Sequence, residues 1–463
     1  MQKYLIQYLL NPLCHLMEPI SGKWKNFLFL LGGSGIFTTM FLQNAEALAI
    51  RYIIIFAANC LFLGLMVLGV LPDKIHPVKW NRPLFACWMA AAGLRMLSVI
   101  TQNTNYFAEG FLLFVAWPVI FIILANADAT RLIHLTLGLI RVALISFVVL
   151  SFLFTPITPG KYSGIFENTN STAHFLAAVS IALVLSILYG QNRKWILDAI
   201  LLGLAWAMNT YTSSRGGLLA AWVAIGCGLV MFLASHFRDG GWKKMLRLGV
   251  SVVACSAFTL SLVYIFQVRL LLDLPYYHHD TRQFYYADRD EIWSYLGDEF
   301  AGFMGDADYF GSDIFTDLAE DRFEVEGQSL DKYSTGRVSL WLSCIEKLNL
   351  TGHPSTEDQF YIPYAKKTFN TTHMVILQYA FESGIPMGIA YLAMNILSGF
   401  AAIAYAWRNR SKPWSLVPLM MTLSFGVLSV MESCGVSLQY LGTFLYYGSM
   451  FPVITKGEAA DKA

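Results

Sequence analysis

The 463-residue chain has few charged residues and lacks the cysteine patterns that stabilise small domains. Only 14% of its residues are Asp, Glu, Lys or Arg, whereas 56% are hydrophobic. Soluble domains carry about 25% charged residues, so the composition excludes a soluble globular protein. The seven cysteines form no CxxC pair, and we expect neither a zinc site nor a disulfide framework. A bridge between Cys344 and Cys434 is the one alternative.

Excess positive charge is also missing. The chain has 32 Lys and Arg against 31 Asp and Glu, without a basic patch, so no nucleic-acid partner is expected. We expect no cleavable signal at the N-terminus, because the apolar stretch from Tyr4 to Leu13 is short and a basic segment without a small-residue cleavage site follows it. We interpret this stretch as an interfacial helix. No internal repeat is evident.

Long apolar runs are abundant, and the mean hydropathy is +0.51. Runs of about 18 to 24 residues match the roughly 30 Å thickness of the hydrocarbon core of a bilayer. They predict an all-α polytopic membrane protein with about twelve transmembrane helices. The predicted spans are 26–43, 50–71, 83–101, 107–125, 132–154, 172–189, 195–212, 216–234, 248–270, 386–407, 414–432 and 437–454.

The distribution of Lys and Arg predicts the orientation. With a cytoplasmic N-terminus, the inside segments hold 18 Lys and Arg, and the short outside connections hold only Lys161 and Arg215. Cytoplasmic loops are rich in these residues, so both termini are expected to be cytoplasmic.

One connection is long enough to be a domain. Residues 272–372, between spans nine and ten, contain 19 acidic and 8 basic residues and lie on the predicted outer side. From Thr335 the pattern becomes helical, with one apolar face at Val338, Trp341, Ile345 and Leu348. A second short helix is predicted from His373 to Ser383, ending at Gly384. The chain is thus divided into a membrane domain (1–271), an extracytoplasmic loop domain (272–385) and C-terminal membrane helices with a tail (386–463); the acidic segment 276–331 suggests no function.

Five arginines lie outside the cytoplasmic set: Arg51, Arg95, Arg141, Arg215 and Arg269. Arg51 and Arg269 are interpreted as snorkelling at helix ends. Arg95 and Arg141 lie several residues inside their spans, where an arginine normally faces the bundle interior and is paired. A structural ion pair and an anion site both remain open for these two.

Four predicted helix starts on the outer side carry capping residues, and three of them also carry a basic side chain. Asn168 and Asn170 open span six, Ser214 and Arg215 open span eight, and two further helices begin at Arg337 and at His373. Because the positive end of a helix dipole disfavours a cation, arginines placed there indicate a bound anion. The same dipole disfavours imidazolium, so His373 is a candidate general base.

Other polar groups are given the simpler interpretation. Glu167, Glu382 and Glu432 lie near outer span ends and are taken as ordinary interfacial carboxylates, with orientation of His373 or of the acceptor as the alternative. We interpret the His278-His279-Asp280 stretch, with Asp288 and Asp290, as part of a solvated acidic loop. A divalent-cation site is the alternative.

Together these motifs resemble the O-antigen ligase and O-antigen polymerase superfamily. The resemblance lies in Gly164-Ile165-Phe166 with Asn168 and Asn170, in Ser214-Arg215-Gly216, in Gly336-Arg337 followed by Trp341, and in a His before a Gly384–Gly388 break. It covers most of residues 160–400. The chain departs from the family pattern at Thr169-Asn170, His373-Met374 and Gly352-His353-Pro354.

The resemblance implies a GT-C-like glycosyltransferase of the bacterial inner membrane that needs neither metal nor cofactor. It would take a glycan from undecaprenyl diphosphate and transfer it, with inversion, to a hydroxyl of a glycan or lipid acceptor at the outer face. His373 would be the catalytic base, and a further set of residues would bind the donor diphosphate: Arg215, Arg337, Asn168, Asn170 and Ser214. Arg95, Arg141, Glu167 and Glu382 would support them.

A ligase of the lipopolysaccharide type is the leading function. The alternative within the family is a polymerase, which shares the donor and extends another lipid-linked repeat unit. A lipid-linked glycan flippase is the alternative from a different class, although transporters usually have paired halves. A non-catalytic carrier-binding protein would keep Arg215 and Arg337 without needing His373.

Overall fold

The computed structural model describes residues 2–43, 51–102, 107–154, 164–166, 168–190, 195–212, 214–237, 240–246, 248–257, 276–278, 283–285, 337–354, 360–362, 367–369, 371–435 and 438–456. The predictions for Glu167, for Arg269 and for most of the acidic segment 276–331 lie outside these residues, as do those for the side chains of Arg51 and His278.

The described residues are mostly helical, in the chain order α1 to α16. The elements are α1 (Gln2–Leu5), a π-helical turn (Ile6–Leu10), α2 (Asn11–Met17), α3 (Gly22–Gln43), α4 (Arg51–Val70), α5 (Arg82–Gln102), α6 (Phe107–Phe111), a second π-helical turn (Leu112–Ala116), α7 (Trp117–Asn126), α8 (Ala129–Phe154), a 3₁₀ turn (Gly164–Phe166), α9 (Thr169–Tyr189), α10 (Trp195–Tyr211), α11 (Arg215–His236), helical residues 241–246 and 248–257, α12 (Arg337–Lys347), α13 (Val375–Ser383), α14 (Ile385–Arg408), α15 (Val417–Met431), α16 (Leu441–Ser449) and a short final helix (Phe451–Ile454).

Within the described ranges, six helices are long and apolar enough to cross a membrane. They are Arg82–Ile100, Glu109–Asn126, Ala129–Ser151, Thr169–Tyr189, Arg215–His236 and Ile385–Arg408. Four shorter apolar helices accompany them, at Ile54–Val70, Trp195–Asn209, Val417–Met431 and Leu441–Ile454. By length and composition the chain is therefore an α-helical membrane protein. Twelve crossings and their direction stay predictions.

The central helix of the bundle is α9. Every side chain from Thr172 to Leu188 is buried, because α8, α10, α11, α15 and α16 all contact this helix. Gly217 allows α11 to approach closely, since a Cβ atom at this position would overlap Ala173 of α9. The first turns of α9 and α11 are thus fixed side by side.

The region between α11 and α14 contains two short antiparallel strand pairs, which the sequence pattern did not predict. β1 (Tyr276–His278) pairs with β2 (Gln283–Tyr285), and β3 (Phe360–Ile362) pairs with β4 (Lys367–Phe369). A small separate core joins α12 to α13 through Leu340, Cys344 and Phe381. The predicted apolar face of α12 is wrong in part: Ile345 is 50% exposed, and Leu340 and Cys344 are buried instead.

Gly384 separates α13 from α14, as the sequence predicts. Its φ of +90° is a conformation that side chains other than glycine rarely adopt. A Cβ atom here would also collide with the carbonyl of Leu350. The sharp break places α13 across the end of the bundle and connects it directly to the candidate span α14.

Candidate functional site

Glu432, the residue that follows α15, contacts side chains from three other parts of the chain. Its Oε1 atom accepts a hydrogen bond from Nη2 of Arg337 at 2.9 Å and another from the amide of Asn170. Its Oε2 atom lies 2.8 Å from Nδ1 of His373. The Glu432 cluster, defined as Glu432, Arg337, His373 and Asn170, thus brings three predicted site residues to one carboxylate.

The cluster is partly open to solvent. The side chains of Arg337 and His373 are 24% and 30% exposed, and that of Glu432 is 11% exposed. Arg337 donates one N–H group to Glu432. A second N–H group, on Nη1, lies 3.4 Å from the sulfur of Met431, which is a weak acceptor. A guanidinium has five N–H donors, so Arg337 retains capacity to bind an anion.

The turn that carries His373 is fixed through two backbone hydrogen bonds of the preceding residue, Thr372. The φ of His373 is +51°, an uncommon value for a residue other than glycine. The neighbouring Thr372 accepts a hydrogen bond from Nε1 of Trp341 at 3.0 Å through its carbonyl, and its N–H donates to Gln378 at 2.8 Å. Uncommon backbone conformations persist where the surroundings impose them, and they concentrate at functional sites.

The starts of α9 and α11 meet at the same cluster. Oγ of Ser214, the residue before α11, donates to the side-chain carbonyl of Asn170 at 2.8 Å. Asn168 caps α9 by accepting the N–H of Asn170 at 2.8 Å, and its own side chain is exposed. Arg215 follows Ser214 and is exposed. Gly216 comes next, and a Cβ atom added to this glycine would be 3.1 Å from Met431. Arg215 is therefore held at the rim of the cluster.

Arg95 and Glu382 belong to a different group of charges. Nη2 of Arg95 lies 2.5 Å from Glu109 and 2.7 Å from Glu382, and Nη1 donates to Ser383 at 2.7 Å. The hydroxyl of Tyr379 also donates to Glu109. This Arg95 cluster is closed, because the Arg95 side chain is only 2% exposed. Of the two alternatives for Arg95, the structure favours the ion pair.

The Arg95 cluster is connected to the His373 turn through one side chain. Nε2 of Gln378 donates to Glu382 at 2.7 Å, and its Oε1 atom accepts the N–H of Thr372. Glu382 thus acts on the turn through Gln378, rather than touching His373. Burial raises the pKa of the Glu382 carboxyl, and the Arg95 guanidinium opposes this effect.

Arg141 is not part of the site. Its guanidinium pairs with Asp198 at 2.6 Å and reaches Ser186 at 3.2 Å. Along the axis of α9, Ser186 lies about 24 Å from Asn170, because an α-helix rises 1.5 Å per residue. Arg141 therefore lies toward the other end of the bundle. Of the two alternatives for Arg141, the structure favours an ion pair inside the bundle over support of the donor site.

For Glu432 the structure favours the alternative interpretation, orientation of His373, over an ordinary interfacial carboxylate. Nothing nearby in the sequence indicates its other partners, and His174 is missed by sequence reasoning. His174 lies one turn after Asn170, is 3% exposed, and makes no hydrogen bond from either ring nitrogen to a described residue. It borders a cavity of about 10 Å³, room for about one water molecule. A histidine one helical turn after Asn170 is the available signal.

Thiol chemistry does not fit the site. Cys434 is buried, and burial with the nearby Glu432 charge raises the pKa of its thiol to about 12. The thiol therefore stays protonated at neutral pH. All seven cysteines lie in described ranges and are free, which excludes the alternative bridge between Cys344 and Cys434. In the part of the chain that the structure describes, no three His, Cys, Asp or Glu side chains form a group that could hold a metal ion.

No protein-family model matches the chain, and no curated protein matches it significantly. The class that the fold defines is an α-helical membrane protein, with an open charged cluster at one end of its bundle.

Proposed function

We propose that the chain is a membrane glycosyltransferase of the O-antigen ligase type, which transfers a glycan from undecaprenyl diphosphate to a hydroxyl at the outer face. The observation that carries the proposal is the Glu432 cluster. It places a histidine, a guanidinium and two helix starts around one accessible point at the end of the bundle. This is the set of groups that an alcohol nucleophile and a diphosphate leaving group require.

His373 would be the base. A carboxylate accepts hydrogen bonds, so the contact with Glu432 places a proton on Nδ1 and leaves Nε2 as the proton acceptor. Nε2 would take the proton of the acceptor hydroxyl while the oxygen forms a bond to the anomeric carbon. Glu432 would then stabilise the imidazolium that results, as the carboxylate of a histidine–carboxylate pair does.

Arg337 and Arg215 would stabilise the leaving group. As the bond between the anomeric carbon and the diphosphate oxygen breaks, its electron pair goes to that oxygen, and the diphosphate gains negative charge. Arg337 has N–H donors beyond the one on Glu432, and Arg215 stands at the rim between Ser214 and Gly216. Charge-assisted hydrogen bonds from guanidinium groups to phosphate are among the strongest in proteins. Attack opposite the leaving diphosphate inverts the anomeric centre.

The test is transfer of a labelled glycan from undecaprenyl diphosphate in proteoliposomes without added divalent metal. His373→Ala and Arg337→Ala should each abolish transfer, with a loss of about 100-fold or more expected for a general base. His353→Gln is the matched control, because this histidine stacks on Phe381 in the same region and does not contact Glu432. It should retain transfer.

The acceptor distinguishes the members of the family. Transfer to a lipid core or wall polymer indicates a ligase, and transfer to a second lipid-linked repeat unit indicates a polymerase. If the labelled lipid changes leaflet with its diphosphate bond intact, and His373→Ala has no effect, the protein is a transporter and the proposal is wrong.

A further inference from the structure

His174 is a buried histidine of α9 whose ring makes no hydrogen bond to the part of the chain that the structure describes. The residue is only 3% exposed, and neither Nδ1 nor Nε2 has a partner there. A neutral imidazole carries one N–H donor and one acceptor nitrogen. Buried polar groups are nearly always paired, because an unpaired one loses its bonds to water without replacement. The ring therefore indicates a ligand that both accepts and donates a hydrogen bond.

The side chains around the ring do not supply these bonds directly. Tyr440 packs edge-on against His174, with 6.2 Å between the two ring centroids. The charges of Glu432 and Arg337 act on the ring electrostatically, but these two side chains are paired with each other at 2.9 Å. His174 is therefore close to the Glu432 cluster without bonding to it.

A cavity of about 10 Å³ lies beside the ring. That volume is room for one water molecule and is too small for a sugar or a phosphate group. Ser171 of α9 lines it on one side, and Gln439 and Tyr440 line it from the segment before α16. The rest of the wall is apolar, with phenylalanines of α3 and α9. A buried water makes about three hydrogen bonds, and His174 with these three polar residues offers enough partners.

The cavity lies between the same two parts of the chain that the bond between Asn170 and Glu432 connects. His174 follows Asn170 by one helical turn, about 6 Å along α9. Gln439 follows Glu432, in the segment that leads from α15 to α16. The helices α9 and α16 are also in contact. A bridge across the cavity would therefore fix the position of Glu432 relative to α9.

We propose that this cavity binds one water molecule, which bridges the imidazole of His174 to the side chains of Ser171 and Gln439. The water bonds to one ring nitrogen, and its remaining bonds reach the segment before α16. His174 is then a positioning residue, because it acts on Glu432 through the water and does not touch substrate. The effect on glycan transfer rests on the proposed function, whereas the water site does not.

The water is tested directly by NMR of the full-length protein in detergent, labelled with nitrogen-15 at histidine. The signals of the His174 ring are identified as those that disappear in His174→Phe. We expect transfer of magnetisation from water protons to this ring, since a bound water lies within hydrogen-bond distance of it. A His174 ring that receives none would overturn the water site.

The melting temperature is an independent test, because a bridged ring and an unpaired ring predict opposite signs. If water bridges the ring, His174→Phe displaces it and leaves Ser171 and Gln439 without that partner. The melting temperature should then fall by about 1–3 °C. If the ring is unpaired, phenylalanine removes a buried polar group that has no bond, and the melting temperature should rise. A rise would contradict the proposal.

The positioning role is tested by the kinetics of glycan transfer in proteoliposomes. His174→Phe should lower kcat by about 10-fold with little change in KM, because a displaced Glu432 orients His373 less well. His174→Gln should keep most of the rate, since its amide can still bond to the water. His236→Phe is the matched control and should not change transfer. The ring of His236, near the other end of α11, contacts the carbonyl of Phe232 on its own helix at 3.3 Å.

The outcomes separate the two proposals. An unchanged kcat in His174→Phe, with transfer intact in the unaltered protein, would show that His174 does not position Glu432. If the unaltered protein transfers no glycan, the proposed function fails. The water site is then still decided by the NMR signals and by the sign of the change in melting temperature.

Discussion

The Glu432 and Arg95 clusters use the same residue types and differ in how far they are closed. In the Arg95 cluster the side chains of Arg95, Glu109 and Glu382 are 2%, 7% and 9% exposed, and Nε, Nη1 and Nη2 of the arginine all have acceptors. In the Glu432 cluster the arginine is 24% exposed, and a single carboxylate serves three donors. A closed network contributes to the fold, whereas an open one has donors available for a ligand.

The comparison is tested most strongly by Glu432→Gln. Glutamine can still accept the Arg337 bond, but its amide cannot accept the Nδ1 proton as a carboxylate does, and it carries no charge to stabilise an imidazolium. We expect glycan transfer to fall by about 100-fold to 10,000-fold, the range for loss of general base catalysis. Glu346→Gln, at an exposed position of α12, should have no effect.

The measurement is the initial rate of transfer in proteoliposomes at saturating donor. The melting temperature of the variant should stay close to that of the unaltered protein. A Glu432→Gln variant with a rate within about 3-fold of the control would show that Glu432 is structural, and the distinction between the two clusters would then fail.

Removing each arginine should give opposite results. Arg95→Met leaves Glu109 and Glu382 buried without their cation, and we expect the free energy of unfolding to fall by about 3–5 kcal/mol. Arg337→Met removes a partly exposed ion pair, and its effect on stability should stay within about 1 kcal/mol. Denaturant unfolding of both variants in the same detergent checks the difference. Equal losses would mean that both clusters serve the fold alike.

Much of the helical framework could be predicted from the sequence, because apolar runs interrupted by Lys, Arg, Gly and Pro set helix positions locally. Asn168 and Ser214 were predicted as caps for the same reason, and they precede α9 and α11. The Gly384 break follows from a local signal too. Whether each helix crosses the membrane stays a prediction.

The centre of the site could not be predicted, because its contacts join residues distant in the chain. Glu432 lies 59 residues from His373, 95 from Arg337 and 262 from Asn170. Sequence alone showed a carboxylate near a helix end, which is common at membrane interfaces. Arg95 and Arg141 were ambiguous for the same reason: their partners, Glu382 and Asp198, become evident only when helices pack.

The closed cluster also predicts a dependence of stability on pH. Burial raises the pKa of Glu382 above its ordinary value of 4.5, so the folded protein binds more protons than the unfolded chain from about pH 4.5 up to the folded pKa. The stabilisation is complete below 4.5 and is lost as pH rises through the folded pKa, with a slope of at most about 1.4 kcal/mol per pH unit.

Glu382→Gln should remove this slope, because glutamine does not titrate. Melting temperatures measured from pH 4 to 8 for both forms give the difference, with Glu346→Gln as the exposed control. An unchanged slope in Glu382→Gln would assign the pH dependence to another group of the cluster.

The smallest expected effect concerns the support of the open cluster. Trp341→Phe keeps the ring but removes the Nε1–H bond to the carbonyl of Thr372, and one such bond contributes about 1 kcal/mol to stability. Because that bond fixes the turn at His373, transfer should fall severalfold more than the stability change explains. Trp222→Phe, at a half-exposed ring stacked on Trp206, is the control and should leave transfer unchanged. If Trp341→Phe lowers stability without changing the transfer rate, the His373 turn is held by Gln378 alone, and the open cluster is less dependent on its surroundings than the closed one.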